Sequence, residues 1–330
     1  MTTGINSKIT GLGAFLPSKV LTNFDLEKMV DTTDEWIRTR TGIRERRIVE
    51  PGVPTSALAT EAGKEAIKNA GLKPADIELI IVATASPDMA FPSTACIVQN
   101  KIGATHAGAF DMAAACSGFP YAVTIADGMI RGGLYKNVLV IGAEVISPFI
   151  DWQDRGTCIL FGDGAGAAVL SATSQKNMGV MATYLGSDGS AADILKIPAG
   201  GSALPPTAQT VNERMHTVKM SGSEIFKIAV RTMGDAVNEV CQRAKLKLED
   251  IDCLIPHQAN FRIIQAMADR LEMPLEKIFL NLEKYGNMSA ASTAVALYEA
   301  VQTGFVKPGS NVVLVAFGGG LTWAACAIKW

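Results

Sequence analysis

The chain has 330 residues, 48 % of them hydrophobic and 19 % charged, with a formal net charge of −2 and no long run of one sign. These values exclude a disordered chain and one that coats nucleic acid through its overall field, and the length favours two domains or one large duplicated architecture. Met1 to Leu16 lacks the basic start of a secretory leader, no stretch approaches bilayer-spanning length, and the six cysteines never fall into C-x-x-C spacing, so a cytoplasmic protein with no membrane span, metal site or disulfide staple is expected.

In chain order, the first strong pattern is an amphipathic helical stretch, Ser56 to Asn69, followed by Gly71-Leu72-Lys73-Pro74-Ala75-Asp76-Ile77 and an apolar run short enough to be a buried strand. Next, Phe110 to Phe119 approaches as a strand, ends in small residues and leads into a helix over Tyr121 to Ile130. That places Cys116 near a helix N-terminus, where the dipole favours a thiolate. Taken alone, Cys116 reads first as a core cysteine, since free Cys is among the most buried residue types. The strand Asn137 to Val140 and the run Gly162-x-Gly164-x-Gly166 follow; the latter lacks nucleotide-loop spacing and reads as tight strand packing. Asp188 to His216 is the least regular segment, rich in Gly, Pro, Ala and Ser, and reads as a linker or surface loop joining two halves.

The second half opens at Ser221, whose spacing to Glu224 suits a capping box, with a helix over Glu224 to Ala244. Lys245 to Ile255 then repeats the earlier motif, with Leu246, Asp250 and Ile251 in the places of Leu72, Asp76 and Ile77. Asn311 to Leu314 matches Asn137 to Val140 at the same shift of 174 residues (72 to 246, 137 to 311). A single shift explaining separate matches indicates a tandem duplication, with halves at 1–173 and 174–330, each alternating strands and helices. His257 ends the apolar run Cys253 to Pro256, where α/β folds place their sites, although a lone His there also suits a structural role. Asn287, in Tyr285-Gly286-Asn287-Met288-Ser289 ahead of a helix over Ala290 to Val301, reads by itself as an N-cap.

Several blocks together carry a resemblance: Thr33 to Ile37 through Arg44 to Arg46, Phe161-Gly162-Asp163-Gly164-Ala165-Gly166, Pro256-His257-Gln258-Ala259-Asn260 and Phe317-Gly318-Gly319-Gly320. From end to end the chain resembles type III β-ketoacyl synthases. The resemblance implies a duplicated thiolase-like α/β fold in five layers, α-β-α-β-α. It implies that Cys116 accepts an acyl group from acyl-CoA, with acetyl-CoA the expected starter, and that His257 and Asn287 support decarboxylation of malonyl-acyl carrier protein. The amides of Cys116 and Gly319 resemble the oxyanion hole. Thr32, Trp36, Arg40, Arg155, Met220, Gly222, Phe226, Ala259 and Asn260 resemble the CoA and pantetheine contacts. Gln258, Ala259, Asn260, Phe261 and Arg262, with Lys227, resemble the carrier-docking segment, and Phe91 resembles a residue reaching across a homodimer into the partner's acyl pocket. No cofactor is implied beyond the CoA substrate. The chain departs from the common pattern at Phe261, where Leu is frequent, and at Met288, where Thr is frequent. The Cys, His and Asn are shared by relatives that join other thioesters, and the CoA and carrier blocks favour fatty-acid initiation.

Overall fold

The apolar runs pair into two mixed sheets in a computed structural model, which describes residues 5–175 and 178–330. Strand β1 (Asn6–Phe15) leads to a small outlying ladder, β2 (Val20–Thr22) with β3 (Glu45–Arg47), which encloses helices α1 (Asn23–Leu26) and α2 (Asp34–Thr41). There follow α3 (Thr55–Asn69), β4 (Leu79–Ala83), α4 (Thr94–Ile102), β5 (Gly108–Met112), α5 (Gly118–Arg131), β6 (Asn137–Glu144), the short α6 (Arg155–Cys158) and β7 (Gly164–Thr173). The first sheet runs β1-β7-β6-β4-β5. Strand β8 (Gly179–Ser187) precedes an excursion holding β9 (Leu195–Lys196), α7 (Ala208–Asn212) and β10 (Lys219–Met220). Then come α8 (Gly222–Ala244), β11 (Cys253–Pro256), α9 (Phe261–Arg270), α10 (Leu282–Tyr285), α11 (Ala290–Gln302), β12 (Asn311–Gly318) and β13 (Thr322–Lys329), and the second sheet runs β11-β12-β13-β8.

The duplication is written into the hydrogen bonds. In the first half Lys73 N donates to Asp76 Oδ2 (2.7 Å) and Asn137 Nδ2 to the Asp76 carbonyl (3.1 Å); in the second, Lys247 N donates to Asp250 Oδ2 (2.8 Å) and Asn311 Nδ2 to the Asp250 carbonyl (2.7 Å). Each Asp thus closes a short turn and ties it to the strand that begins with the matching Asn. In each sheet that strand lies parallel to the one after the turn and antiparallel to its successor: β6 with β4 and β7, β12 with β11 and β13.

Helices α5 and α11 touch both sheets, and one buried cluster joins Phe119 and Val123 of α5, Ala294 and Leu297 of α11, Val140 of β6 and Leu314 of β12. Outside, α3 and α4 cover the first sheet, and α8 with α9 cover the second, which completes the α-β-α-β-α order. The glycine run after residue 161 packs as expected: a Cβ on Gly166 would lie 2.6 Å from Ala294 Cβ, so only glycine lets β7 sit this close to α11.

Three local expectations are corrected. The 188–216 segment does not join the sheets; β8 already belongs to the second sheet, and the segment is an excursion between β8 and α8. Ser221 is the N-cap of α8 but its hydroxyl caps nothing, because its backbone sits at ψ 81° with its amide given to the Ile194 carbonyl. Asn287 is not an N-cap; Ser289 precedes α11. Within the block Arg44 to Arg46, Arg46 is fully buried and donates to the carbonyls of Leu21 and Ile159 and to Asn23 Oδ1, while Arg44 pairs with Glu283.

Candidate active site

Strand β5 ends in small residues and turns through Ala115–Ser117 into α5, with Ala115 at φ 44°. Cys116 therefore sits in a tight turn just ahead of Gly118, the first residue of α5, and is 7 % exposed. The loop after β12 closes on it: a Cβ on Gly318 would lie 2.6 Å from the Cys116 amide nitrogen. Close approach thus depends on Gly318, whereas the space beside Gly319 faces the Leu195 carbonyl. Burial pushes the Cys116 thiol up to about 12, partly opposed by a hydrogen bond from Ser289 and reinforced by the charge of Glu144. The helix start alone does not deliver a thiolate here, because desolvation outweighs the dipole.

His257 follows β11 directly, and its amide donates to the Val315 carbonyl (2.8 Å) in β12, which fixes the ring's position from the sheet. Its neighbour Gln258 is fully buried, donating to the carbonyls of Pro256 and Phe279 and accepting from the amides of Asn281 and Leu282. Gln258 is therefore a clamp behind the histidine and not part of a docking surface, because its amide group is committed inside the protein. The His257 ring is 3 % exposed, neither nitrogen has a partner among the described residues, and burial holds its pKa down at about 3, so the ring is neutral. Asn287 is bridged to the segment after α6: its amide donates to the Leu160 carbonyl (2.8 Å), and its carbonyl accepts from Gly162 (3.0 Å). Asn287 Oδ1 accepts from the Ser289 amide (2.8 Å), which commits the side-chain oxygen and turns the NH2 group into the available half of the amide.

Cys116, His257, Asn287 and Gly319 border one cavity of about 920 Å³. Met220 of β10 and Gly222 and Phe226 of α8 line it, with Ala259 and Asn260 at the start of α9. Asn260 also caps α9, its Oδ1 accepting from the Arg262 amide (2.8 Å). At the mouth, Arg40, Lys227 and Arg262 are exposed. Trp36 lies beside them, with the guanidinium carbon of Arg40 4.3 Å and that of Arg155 4.7 Å from its ring centre. Arg155 is held by the Asp31 carbonyl (2.9 Å), and nearby Thr32 has a buried hydroxyl without a partner among the described residues. Phe261 packs over Gly42, and Phe91 stands 85 % exposed on the loop after β4, away from the cavity of its own chain. Arg270, at the far end of α9, pairs with Asp235 and does not reach the cavity.

Two site residues escape a reading by sequence pattern. Ser289 borders the cavity at φ 44°, and Glu144 ends β6 fully buried. The signal for Glu144 is an acid closing an otherwise apolar strand at its C-terminal end, where α/β sheets place function.

The fold agrees with the relatives of the chain. Two family profiles match it, described as 3-oxoacyl-[acyl-carrier-protein (ACP)] synthase III over residues 110–189 and as the C-terminal part of that synthase over residues 241–330. It is 56 % identical over 326 residues to the beta-ketoacyl-[acyl-carrier-protein] synthase III of Caldanaerobacter subterraneus subsp. tengcongensis, covering 99 % of this chain and 98 % of that one. It is 55 % identical over 322 residues to the synthase of the same name from Clostridioides difficile, covering 98 % of each. The crystal structure of 3-oxoacyl-[acyl-carrier-protein] synthase III from Aquifex aeolicus VF5 superposes with a TM-score of 0.91 at 48 % identity, covering 98 % of this chain and 100 % of that one. On this full-length agreement in sequence and fold, the chain belongs to the β-ketoacyl-[acyl-carrier-protein] synthase III family, thiolase-like condensing enzymes that initiate fatty acid synthesis.

Proposed function

We propose that this chain carries out the family's condensation with Cys116 as acyl acceptor and His257 and Asn287 as the donors that support decarboxylation. The observation that carries the assignment is the convergence of a buried thiol, a neutral histidine without partners among the described residues and a half-committed asparagine amide on one cavity. The Cys116 sulfur attacks the acyl-CoA thioester, the acyl group passes to the enzyme and CoA leaves before the second substrate enters. Malonyl-acyl carrier protein then loses CO2, and negative charge builds on its thioester oxygen. A neutral imidazole N–H and a carboxamide N–H suit that oxygen, since neither must give up a charge to bind it. The resulting carbanion attacks the acyl-cysteine, whose carbonyl oxygen is met by the amides of Cys116 and Gly319.

Acyl-CoA enters past Trp36, Arg40, Arg155 and Thr32 and extends its pantetheine along Met220, Gly222, Phe226, Ala259 and Asn260, with acetyl-CoA as starter. The carrier protein docks on Ala259, Asn260, Phe261, Arg262 and Lys227. The exposure of Phe91 supports a homodimer in which it closes the partner's acyl pocket. The halves divide as 1–173 and 174–330, the first supplying the thiol and the second the two donors, and the enzyme works in the cytoplasm.

Mass spectrometry after treatment with acyl-CoA should find the adduct on Cys116. Cys116→Ala should stop condensation yet keep slow malonyl decarboxylation, whereas His257→Ala and Asn287→Ala should acylate normally and condense about 10²–10³-fold more slowly. An adduct on another cysteine, or full-rate condensation by either donor variant, would overturn the assignment.

A further inference from the structure

His257 and Asn287 reach the cavity from separate elements: the histidine follows β11, and Asn287 stands two residues beyond α10. Their separation is set by tertiary bonds, and Gln258 makes four of these while fully buried. Its Nε2 donates to the carbonyls of Pro256 (2.8 Å) and Phe279 (3.1 Å), and its Oε1 accepts from the amides of Asn281 (3.0 Å) and Leu282 (3.3 Å). Two carbonyls on one side and two amides on the other admit a single orientation of a carboxamide, and an ionised carboxylate, which only accepts, cannot make the set. The Asn281 and Leu282 amides stand at the start of α10, where a helix has no partners of its own to offer them. Pro256 is the residue before His257. One side chain thus spans from the end of β11 to the helix that carries the chain toward Asn287.

The other ties of this segment leave that span to Gln258. Ahead of α10, the Phe279 amide donates to the Leu254 carbonyl (3.0 Å), which sets where the segment leaves β11 but not the direction α10 takes. At the far end of α10, Glu299 of α11 accepts from the Tyr285 hydroxyl (2.5 Å) and from Asn281 Nδ2 (2.9 Å). The Asn287 backbone is paired with Leu160 and Gly162, not with β11. We propose that Gln258, backed by Glu299, is a positioning residue for decarboxylation: it sets the spacing of the two donors so that both meet one thioester oxygen, a role that rests on His257 and Asn287 being those donors. Cys116 stands outside this clamp, because β5, α5 and the loop after β12 hold it.

Gln258→Met keeps the length of the side chain and removes all four bonds. Decarboxylation of malonyl-acyl carrier protein without primer should lose about 30-fold in kcat, short of the about 10²–10³-fold of losing a donor outright, with KM within about twofold of wild type. CoA release in a single turnover with acyl-CoA should also stay within about twofold. A general structural role would lower both half-reactions together, and a docking role would raise KM alone; either result overturns the proposal. In the Asn287→Ala background Gln258→Met should cost no more than about threefold, because a single remaining donor has no pair to align. The full loss there would mean that Gln258 only steadies His257, and the spacing role would fall. Tyr285→Phe removes one oxygen and carries the test should Gln258→Met not fold: kcat for decarboxylation should drop about fivefold with acylation unchanged, and an unaltered kcat would overturn the clamp. The two levels separate cleanly. Full-rate decarboxylation by His257→Ala and Asn287→Ala defeats the donor assignment, whereas slow decarboxylation by those variants with a wild-type rate in Gln258→Met defeats the clamp alone.

Discussion

The depressed pKa of His257 makes the protonation state of a single ring a stability term as well as a chemical one. Folding moves it from an ordinary 6.5 down to about 3, so between those values the unfolded chain binds a proton that the folded chain refuses. Stability is therefore fully present above pH 6.5 and falls as the pH drops through that window, by about 1.4 kcal/mol per unit from this residue. Replacing it with a neutral side chain, His257→Gln, should flatten the fall. Urea midpoints measured from pH 7 to pH 4 check this, and parallel slopes for the two proteins would count against it. The grouping of Cys116, His257 and Asn287 came from the resemblance that their sequence blocks carry together, because the local setting of each one alone suited a structural role equally. The thiol's raised pKa was not legible in the sequence, since it comes from burial by β12 and α11, which lie far away in sequence.

Helix α9 is the element where the proposed contacts of the two substrates meet. Its first turn carries the cap of Asn260 facing the cavity and exposed Arg262 at the mouth, where Arg262 has no ion-pair partner among the described residues and Lys227 of α8 stands on the same rim. A positive rim on a chain of net charge −2 suits an acidic partner. Arg262→Glu should raise KM for malonyl-acyl carrier protein about tenfold at low salt, and less at high salt where screening already weakens the attraction, while acylation by acyl-CoA stays close to wild type. Steady-state kinetics with each substrate varied at low and high ionic strength test this, and an equal effect on both substrates would remove the docking role. The limits of pattern reading also appear at this scale. Gln258 lies in the same block as His257 and Asn260, and only the turn of the chain after β11 reveals that it points inward to four backbone groups. The ends of α3, α8 and α11 were legible within two residues, because hydrophobic spacing reports a helix's buried face directly.

At the scale of the whole molecule, the central layer is the least tolerant part, since α5 and α11 have a sheet on either side and nowhere to retreat. Gly166→Ala would bring a methyl group to 2.6 Å from Ala294 Cβ and 2.7 Å from the Val295 amide nitrogen. We expect a loss of about 3 kcal/mol, read as a lower denaturant midpoint at unchanged slope. A midpoint equal to wild type would mean that the layers can slide apart. The duplication was legible because the Asp and Asn that tie each turn to its strand recur at one fixed shift, whereas the route of residues 188–216 was not, because it has no counterpart in the first half. That excursion also walls the pocket through Leu195, Lys196 and Ile197. It is fastened near its ends, where Asp188 and Leu321 exchange backbone bonds, the Val218 amide donates to the Phe149 carbonyl and Arg214 pairs with Asp151, while most of residues 201–209 are exposed. An exposed stretch between such ties opens at a fraction of the global unfolding free energy. A protease should therefore nick residues 201–209 while both sheets stand, and the Leu195 carbonyl that bounds the space beside Gly319 lies on the same excursion as the cut.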